Sequence, residues 1–434
     1  ILKTTSINNI AWLNVTSLNN FKKILALLSL SVSITLQAES PSEAQALSVD
    51  QAMQYAIKTH PLILSAEGQY RAAKSELTAS RWSRFPTVGA SARENSFDEK
   101  QDVTTASMPL WMGGRINADI DLAKSNRDGA LSGISEAQQS VMLETIGLFF
   151  DYFKSEKKLE IASQNIDEHQ RLYEIIERRV EAATSPDVDA MLAQARLQSA
   201  RSAQIQAASI KDISKASLEL TVGRVIDAVL VNNNPDPFGI SLNEAVATGI
   251  AVSPRVARIE SEIKGFDANI KLAKSALYPQ VSLGYEKRFN DPDSSRVDQE
   301  ETFVSVQFQP GAGLAVASSI SAAKQRKQSA RDSLEAEKRE LRRQIKTAWN
   351  EYASVSFQLE PSKMLVDATN SVIESYLRQY AVGKKSWLDV LNAQREATQA
   401  RNTLVDFEVQ YLTSIYRLRV LMNEINPTIL GVKL

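Results

Sequence analysis

This chain carries a long internal repeat. Ser48-Val49-Asp50-Gln51-Ala52 returns as Ser241-Leu242-Asn243-Glu244-Ala245, an offset of 193 (241 − 48). The same offset lays His60-Pro61 on Ser253-Pro254, Glu67 on Glu260, and Phe85-Pro86-Thr87-Val88 on Tyr278-Pro279-Gln280-Val281, with no gap from Leu47 to Val88. Farther on the offset is 200: Arg178 falls on Arg378, Asp189 on Asp389, and Ala193-Gln194 on Ala393-Gln394. A unit of roughly 195 residues is far longer than the 20–50-residue periods of solenoids, which excludes stacked repeats. The chain reads as two copies of one large structural unit, and function resides in what two such units build.

Composition removes several classes of function. The 434 residues hold 50 basic and 51 acidic side chains, net −1, so there is no basic footprint for nucleic acid. No cysteine occurs, which removes disulfides, thiolate metal sites, a Cys nucleophile and a lipoprotein anchor together. The two histidines, His60 and His169, stand far apart; each fits a structural role better than a metal or acid–base centre. No cofactor is implied. Gly383-Lys384-Lys385-Ser386 resembles a phosphate loop only in part, because Arg378 stands where its first glycine belongs and no strand precedes it. Carboxylates such as Asp187 and Asp189 sit at a helix start with no pocket implied, so no enzyme is expected.

The N-terminus reads as an export address. Lys22-Lys23 forms a small positive region, Ile24 to Leu36 an apolar core too short to span a bilayer, and Leu36-Gln37-Ala38 a cleavage site. Residues before Phe21 fit no signal peptide and read as an upstream extension of the frame. The expected divisions are therefore 1–38 as signal peptide, 39–238 as first repeat and 239–434 as second repeat.

Between a few Gly and Pro corners run stretches rich in Ala, Gln, Glu, Lys, Arg and Leu, all good helix formers. One extends from about Gly114 to Ala183 and another from about Leu314 to Val382; each would be roughly 100 Å long at 1.5 Å per residue. Narrow apolar stripes (Leu143, Ile146, Phe149, Phe150, Phe153, then Leu172, Ile175, Ile176, Val180) suit helices packed side by side with one wet face. Leu404, Phe407, Tyr411, Ile415, Leu418 and Met422 continue the pattern in the last segment. Gly129, Gly133, Gly147 and Pro361 are expected to bend or loosen these helices.

Two segments break the helical pattern at equivalent places, about 86–109 and about 279–310. In the second, Val281, Leu283 and Tyr285 alternate with Ser282 and Gly284, and Val304, Val306 and Phe308 with Ser305 and Gln307. Period two, flanking prolines and a polar tip predict a β-hairpin. The first pair is weaker, because Ala90, Ala92 and Ala106 make a poor apolar face. Strands of this length with one apolar face fit a transmembrane barrel, and lipid tolerates no unpaired edges. Four strands cannot close a barrel alone, so oligomerisation is expected.

Three sets of residues resemble the outer-membrane factors of the TolC family. These are the duplicated Leu47–Pro61 and Ile240–Pro254 segments, the aromatic-Pro corners with Pro109-Leu110-Trp111-Met112-Gly113-Gly114-Arg115, and Gln379-Tyr380-Ala381-Val382-Gly383-Lys384-Lys385-Ser386-Trp387-Leu388-Asp389-Val390-Leu391-Asn392-Ala393-Gln394. The resemblance covers essentially everything after the signal peptide. It implies a mainly α fold with a small β part. Long antiparallel helices form an α-barrel tunnel, and two β-hairpins per chain give four strands to a twelve-stranded β-barrel in the outer membrane. It further implies a homotrimer embedded in outer-membrane lipid and reaching into the periplasm. Its partners are a periplasmic adaptor and an inner-membrane ABC or proton-driven pump. The second copy replaces the usual Pro-Leu-aromatic-x-Gly-Gly corner with Gln309-Pro310-Gly311-Ala312-Gly313-Leu314. With Trp387, that variant resembles the branch serving type I secretion of large surface adhesins. Small-molecule efflux and a non-pore periplasmic coiled-coil scaffold stay open as alternatives.

Residue roles follow from the resemblance alone. Tyr380 and Lys385 match family positions that tie the inner helix pair to its neighbours, and Asp189 matches their acidic partner. Asp389 and Asn392 match the narrowest ring, acidic at both positions in the best-known members; a neutral Asn392 leaves one carboxylate ring and implies weaker cation block. An exposed Lys–carboxylate pair is worth about 0–1 kcal/mol, and Lys lacks the bidentate grip of Arg. Asp189 and Asp389 equally fit helix N-termini, where carboxylates contribute about 0.3–1 kcal/mol. Tyr380 taken alone fits ordinary packing. Trp387 fits core filling as well as an adaptor contact, and Gly383 in the same turn is the other candidate contact.

Overall fold

The computed structural model describes residues 46–94, 100–232, 238–289, 298–313 and 315–431. The export signal expected over 1–38 lies outside the described residues, as do the hairpin-tip residues 95–99 and 290–297. A short strand β1 (Leu47–Ser48) leads into helices α1 (Val49–Thr59) and α2 (Pro61–Trp82), strands β2 (Thr87–Glu94) and β3 (Lys100–Trp111), and helices α3 (Arg115–Glu181) and α4 (Asp187–Val222). After β4 (Val229–Leu230) the series returns as α5 (Leu242–Val252), α6 (Pro254–Ser275), β5 (Gln280–Phe289), β6 (Asp298–Gln307), α7 (Ala315–Ala381) and α8 (Trp387–Leu421). Corresponding helices hold 11 and 11, 22 and 22, 67 and 67, and 36 and 35 residues.

Matching caps explain the matching boundaries. Ser48 and Gln51 form a capping box at α1: the Gln51 N–H donates to Ser48 Oγ at 3.2 Å and the Ser48 N–H to Gln51 Oε1 at 3.0 Å. Ser241 caps α5 through the Glu244 N–H. His60 ends α1 and starts α2, its Nδ1 accepting from the Leu62 N–H at 3.2 Å ahead of Pro61. Ser253 does the same before Pro254, its Oγ accepting from the Val256 N–H at 3.4 Å. His60 is thus a capping residue. Ala183, Gly223, Gly383 and Asn423, each at or just past the end of a long helix and paired at the offset of 200, all have positive φ. The Thr184 and Lys384 N–H groups then donate back to the carbonyls of Arg179 and Gln379, at 2.8 and 2.9 Å, in the Schellman pattern.

Helix α3 is the spine, packing against α2, α4, α6 and α8, while α7 packs against α5, α6 and α8. Ile146, Phe149 and Phe150 are fully buried against Met53, Leu218, Leu412 and Tyr416. A second core gathers Ala245, Leu341, Ile345, Leu418 and Met422. The chain stays helical through Gly129, Gly133 and Gly147 in α3 and through Pro361 in α7, so none of these residues ends its helix. Gly129 instead lies where α3 nears α6, since a Cβ there would sit 3.8 Å from Ser261 Cβ.

The two hairpins share one antiparallel sheet in the order β2-β3-β5-β6, joined through β3 and β5. A register shift between Pro109 and Trp111 ends the β3–β5 ladder. The weakly apolar first hairpin is therefore secured by the second, in whose register it sits.

Candidate functional site

The turns α3–α4 and α7–α8 meet at one end of the helices. There Leu172, Ile176, Ala193, Tyr380, Trp387, Val390 and Leu391 make a separate small core. Tyr380 is buried, its hydroxyl 3.2 Å from Ser185 Oγ in the other turn. The Trp387 ring lies 5.3 Å from the Tyr380 ring, and the Arg179 guanidinium stacks 4.6 Å from its centre on the α3 side. Trp387 is only 3% exposed, so it serves here as core filling and offers little surface to a partner.

Lys385 holds its ammonium 4.4 Å over the Tyr376 ring. No ion pair joins it to Asp189 within the chain. Asp189 sits in the first turn of α4, where Pro186 is the N-cap and offers no side-chain cap. Asp389 is placed differently. Its carboxylate accepts from the Ser386 N–H at 3.0 Å and the Ser386 hydroxyl at 2.8 Å, and the Asp389 N–H donates to Ser386 Oγ at 3.2 Å. The Ser386 side-chain and backbone donors, with Lys385 nearby, hold this carboxyl below the usual range. Asn392 stands exposed one turn along the same face of α8, while Gly383 occupies the left-handed position of the turn.

Sequence reasoning missed the layer above the tip. Glu168 of α3 accepts from Arg401 Nη1 at 2.8 Å and from the Gln394 side-chain amide, and Arg401 Nη2 donates to Asn370 Oδ1 of α7 at 2.7 Å. Thr398 Oγ1 lies 3.0 Å from Asn165 Oδ1. This network ties α3, α7 and α8 together. Beside it His169 is buried; burial lowers its pKa, against the adjacent Glu168 and with Arg196, so it is neutral packing. Higher up, Lys154 and Lys158 both reach Asp406 at 2.8 Å.

At the other end the sheet has two unlike faces. Val88, Met108, Leu283, Val304 and Val306 share one face by register and are all exposed. Thr87, Ser107, Ser282, Gly284 and Ser305 share the other, joined by one aromatic, Phe303. Among the described residues, β2 and β6 each keep one edge unpaired. At the strand–helix corners, Trp82 lies against Phe85 and Trp111 against Tyr278. Among the described residues no helix is long and apolar enough to cross a membrane, and no group of His, Asp or Glu is disposed for a metal.

Comparison with known proteins agrees with this geometry. The profile of outer membrane efflux proteins matches residues 52–224 and again 249–424. The chain therefore belongs to the outer membrane efflux protein family, whose members are channel proteins of the outer membrane reaching into the periplasm. Among relatives, the alkaline protease secretion protein AprF of Pseudomonas aeruginosa is 20% identical over 65% of this chain and 61% of its own length. The outer membrane protein TolC of Vibrio cholerae is 23% identical over 83% of this chain and 86% of its own. The crystal structure of the outer membrane protein VceC of Vibrio cholerae superposes with a TM-score of 0.76, covering 86% of this chain and 95% of that one at 13% identity.

Proposed function

We propose that three copies of this chain close into one passive duct through the outer membrane and across the periplasm. An antiparallel sheet with one exposed apolar face and an open edge on each side carries the reading. Lipid would leave those edges unsatisfied, and edge-to-edge closure of three sheets gives twelve strands without an end. Exposed apolar residues on the two outermost long helices add support: Ile205, Ile213 and Leu220 on α4, Phe357 and Met364 on α7. Unlike patches on opposite edges make a head-to-tail contact that generates rings. Residues 1–38 serve as export signal, and 39–238 and 239–434 as the two repeats that each give a hairpin and a helix pair.

The tip is the gate. Tyr380, Lys385 and Asp189 form the latch, with Lys385 and Asp189 meeting across neighbouring copies, and Asp389 and Asn392 line the narrowest ring. A periplasmic adaptor docks on the turn around Gly383 and Trp387, and an inner-membrane pump supplies the energy. The cargo is a large secreted protein such as a surface adhesin, in keeping with a protease-secretion relative. Small-molecule export is the second reading, favoured by the family's own description as efflux proteins. Purified protein in planar bilayers gives discrete conductance steps on this reading; a silent, monomeric product refutes it. Loss of secreted adhesin with unchanged drug sensitivity after gene deletion separates the two cargoes.

A further inference from the structure

Phe303 is out of character with its surroundings. It lies on the polar face of the sheet, where its cross-strand row reads Thr87, Ser107, Gly284 and Phe303. Gly284 stands directly opposite it, and the far end of the aromatic ring lies over that glycine. A Cβ added at Gly284 would fall 2.5 Å from Phe303 Cζ and 2.6 Å from Cε2, distances that real Cβ atoms do not show. Gly284 is the one buried residue of β5. On the far side, a neighbouring copy would bring β2, whose first three residues on this face, Thr87, Gly89 and Ser91, are small.

A glycine beneath an aromatic is often explained as backbone cover. That explanation does not account for the face on which the pair lies. In the conduit reading, on which this inference rests, the apolar face meets lipid and the polar face lines the lumen. A phenylalanine standing upright there would project into the passage from each of three copies. Laid against glycine, it becomes part of the wall.

We propose that Gly284 is the seat that holds Phe303 against the barrel wall and keeps three aromatic rings out of the path of the cargo. Gly284 is a positioning residue that acts through Phe303. Its substitution therefore narrows the lumen only when the ring is present, a non-additivity that backbone cover alone does not produce.

The test uses the full-length trimer in planar bilayers, with polyethylene glycols of graded mass added on the barrel side. The largest polymer that still enters and lowers conductance reports the barrel aperture independently of the tip. Gly284→Ala lowers that cut-off by at least one polymer size, Gly284→Ala with Phe303→Ala restores it, and Phe303→Ala alone leaves it unchanged. Should Gly284→Ala fail to assemble, Phe303→Trp, which enlarges the ring above an intact glycine, lowers the cut-off in its place. Conducting wild type and variants that share one cut-off overturn the proposal while leaving the duct intact. A wild-type protein without conductance removes the duct and this role with it.

Discussion

The first tip turn places Ala183 at φ 55, where the second uses Gly383 at φ 76. A Cβ in the left-handed region costs about 1–2 kcal/mol, so Ala183→Gly is expected to stabilise the tip by about 1 kcal/mol, read as slower tip proteolysis. Asp389 carries a pH dependence of definite sign. Its folded pKa is lowered, first by the Ser386 hydroxyl and then by the Ser386 N–H. The cap's contribution is thus fully present above the ordinary carboxylate range and is lost as pH falls through the lowered folded value. Ser386→Ala removes the main cause, and acid-induced fraying of the α8 start, followed by proteolysis against pH, shifts to higher pH. On the proposed latch, in which three weak Lys385 ties would hold the tip shut, Lys385→Ala is expected to raise single-channel conductance. Unchanged conductance argues that Lys385 only rests on Tyr376.

Among the elements, the long helices hold together through few but well-placed polar links. Arg401 bridges Glu168 of α3 and Asn370 of α7 with little exposure on either charged partner. Arg401→Ala leaves a partly buried carboxylate with one amide donor, expected to cost about 1–3 kcal/mol in thermal unfolding. Arg343→Ala, breaking an exposed pair with Glu340, is expected to cost far less. The helices themselves were legible: their start and stop residues are local signals, and Gly114 to Ala183 anticipates Arg115–Glu181 closely. Alternation at Val281, Leu283 and Tyr285 likewise declared β5. The joining of β3 to β5 was not legible, since Met108 meets Leu283 only through a register that no local pattern encodes. For the same reason Tyr380 was found by motif, while its partner Ser185, 195 residues away, and the stacked Arg179 were not.

At the level of the whole molecule, the proposed duct would set the two sheet faces in different solvents. There Val304→Lys would face lipid and is expected to cost about 2–4 kcal/mol near the bilayer midplane, abolishing stable insertion. The adjacent Ser305→Lys points into water and is expected to leave membrane fractionation unchanged. Equal loss from both, or from neither, contradicts the orientation.

The paired helix lengths impose a further discipline. Because α3 and α7 each run 67 residues from a strand corner to a tip turn, both turns arrive at one level. Seven residues inserted into one helix alone would carry its turn roughly 10 Å past the other, pulling Ser185 away from Tyr380. A chain of this design can grow or shrink to suit a deeper or shallower periplasm only by editing both halves in step, so its reach behaves as a single inherited dimension.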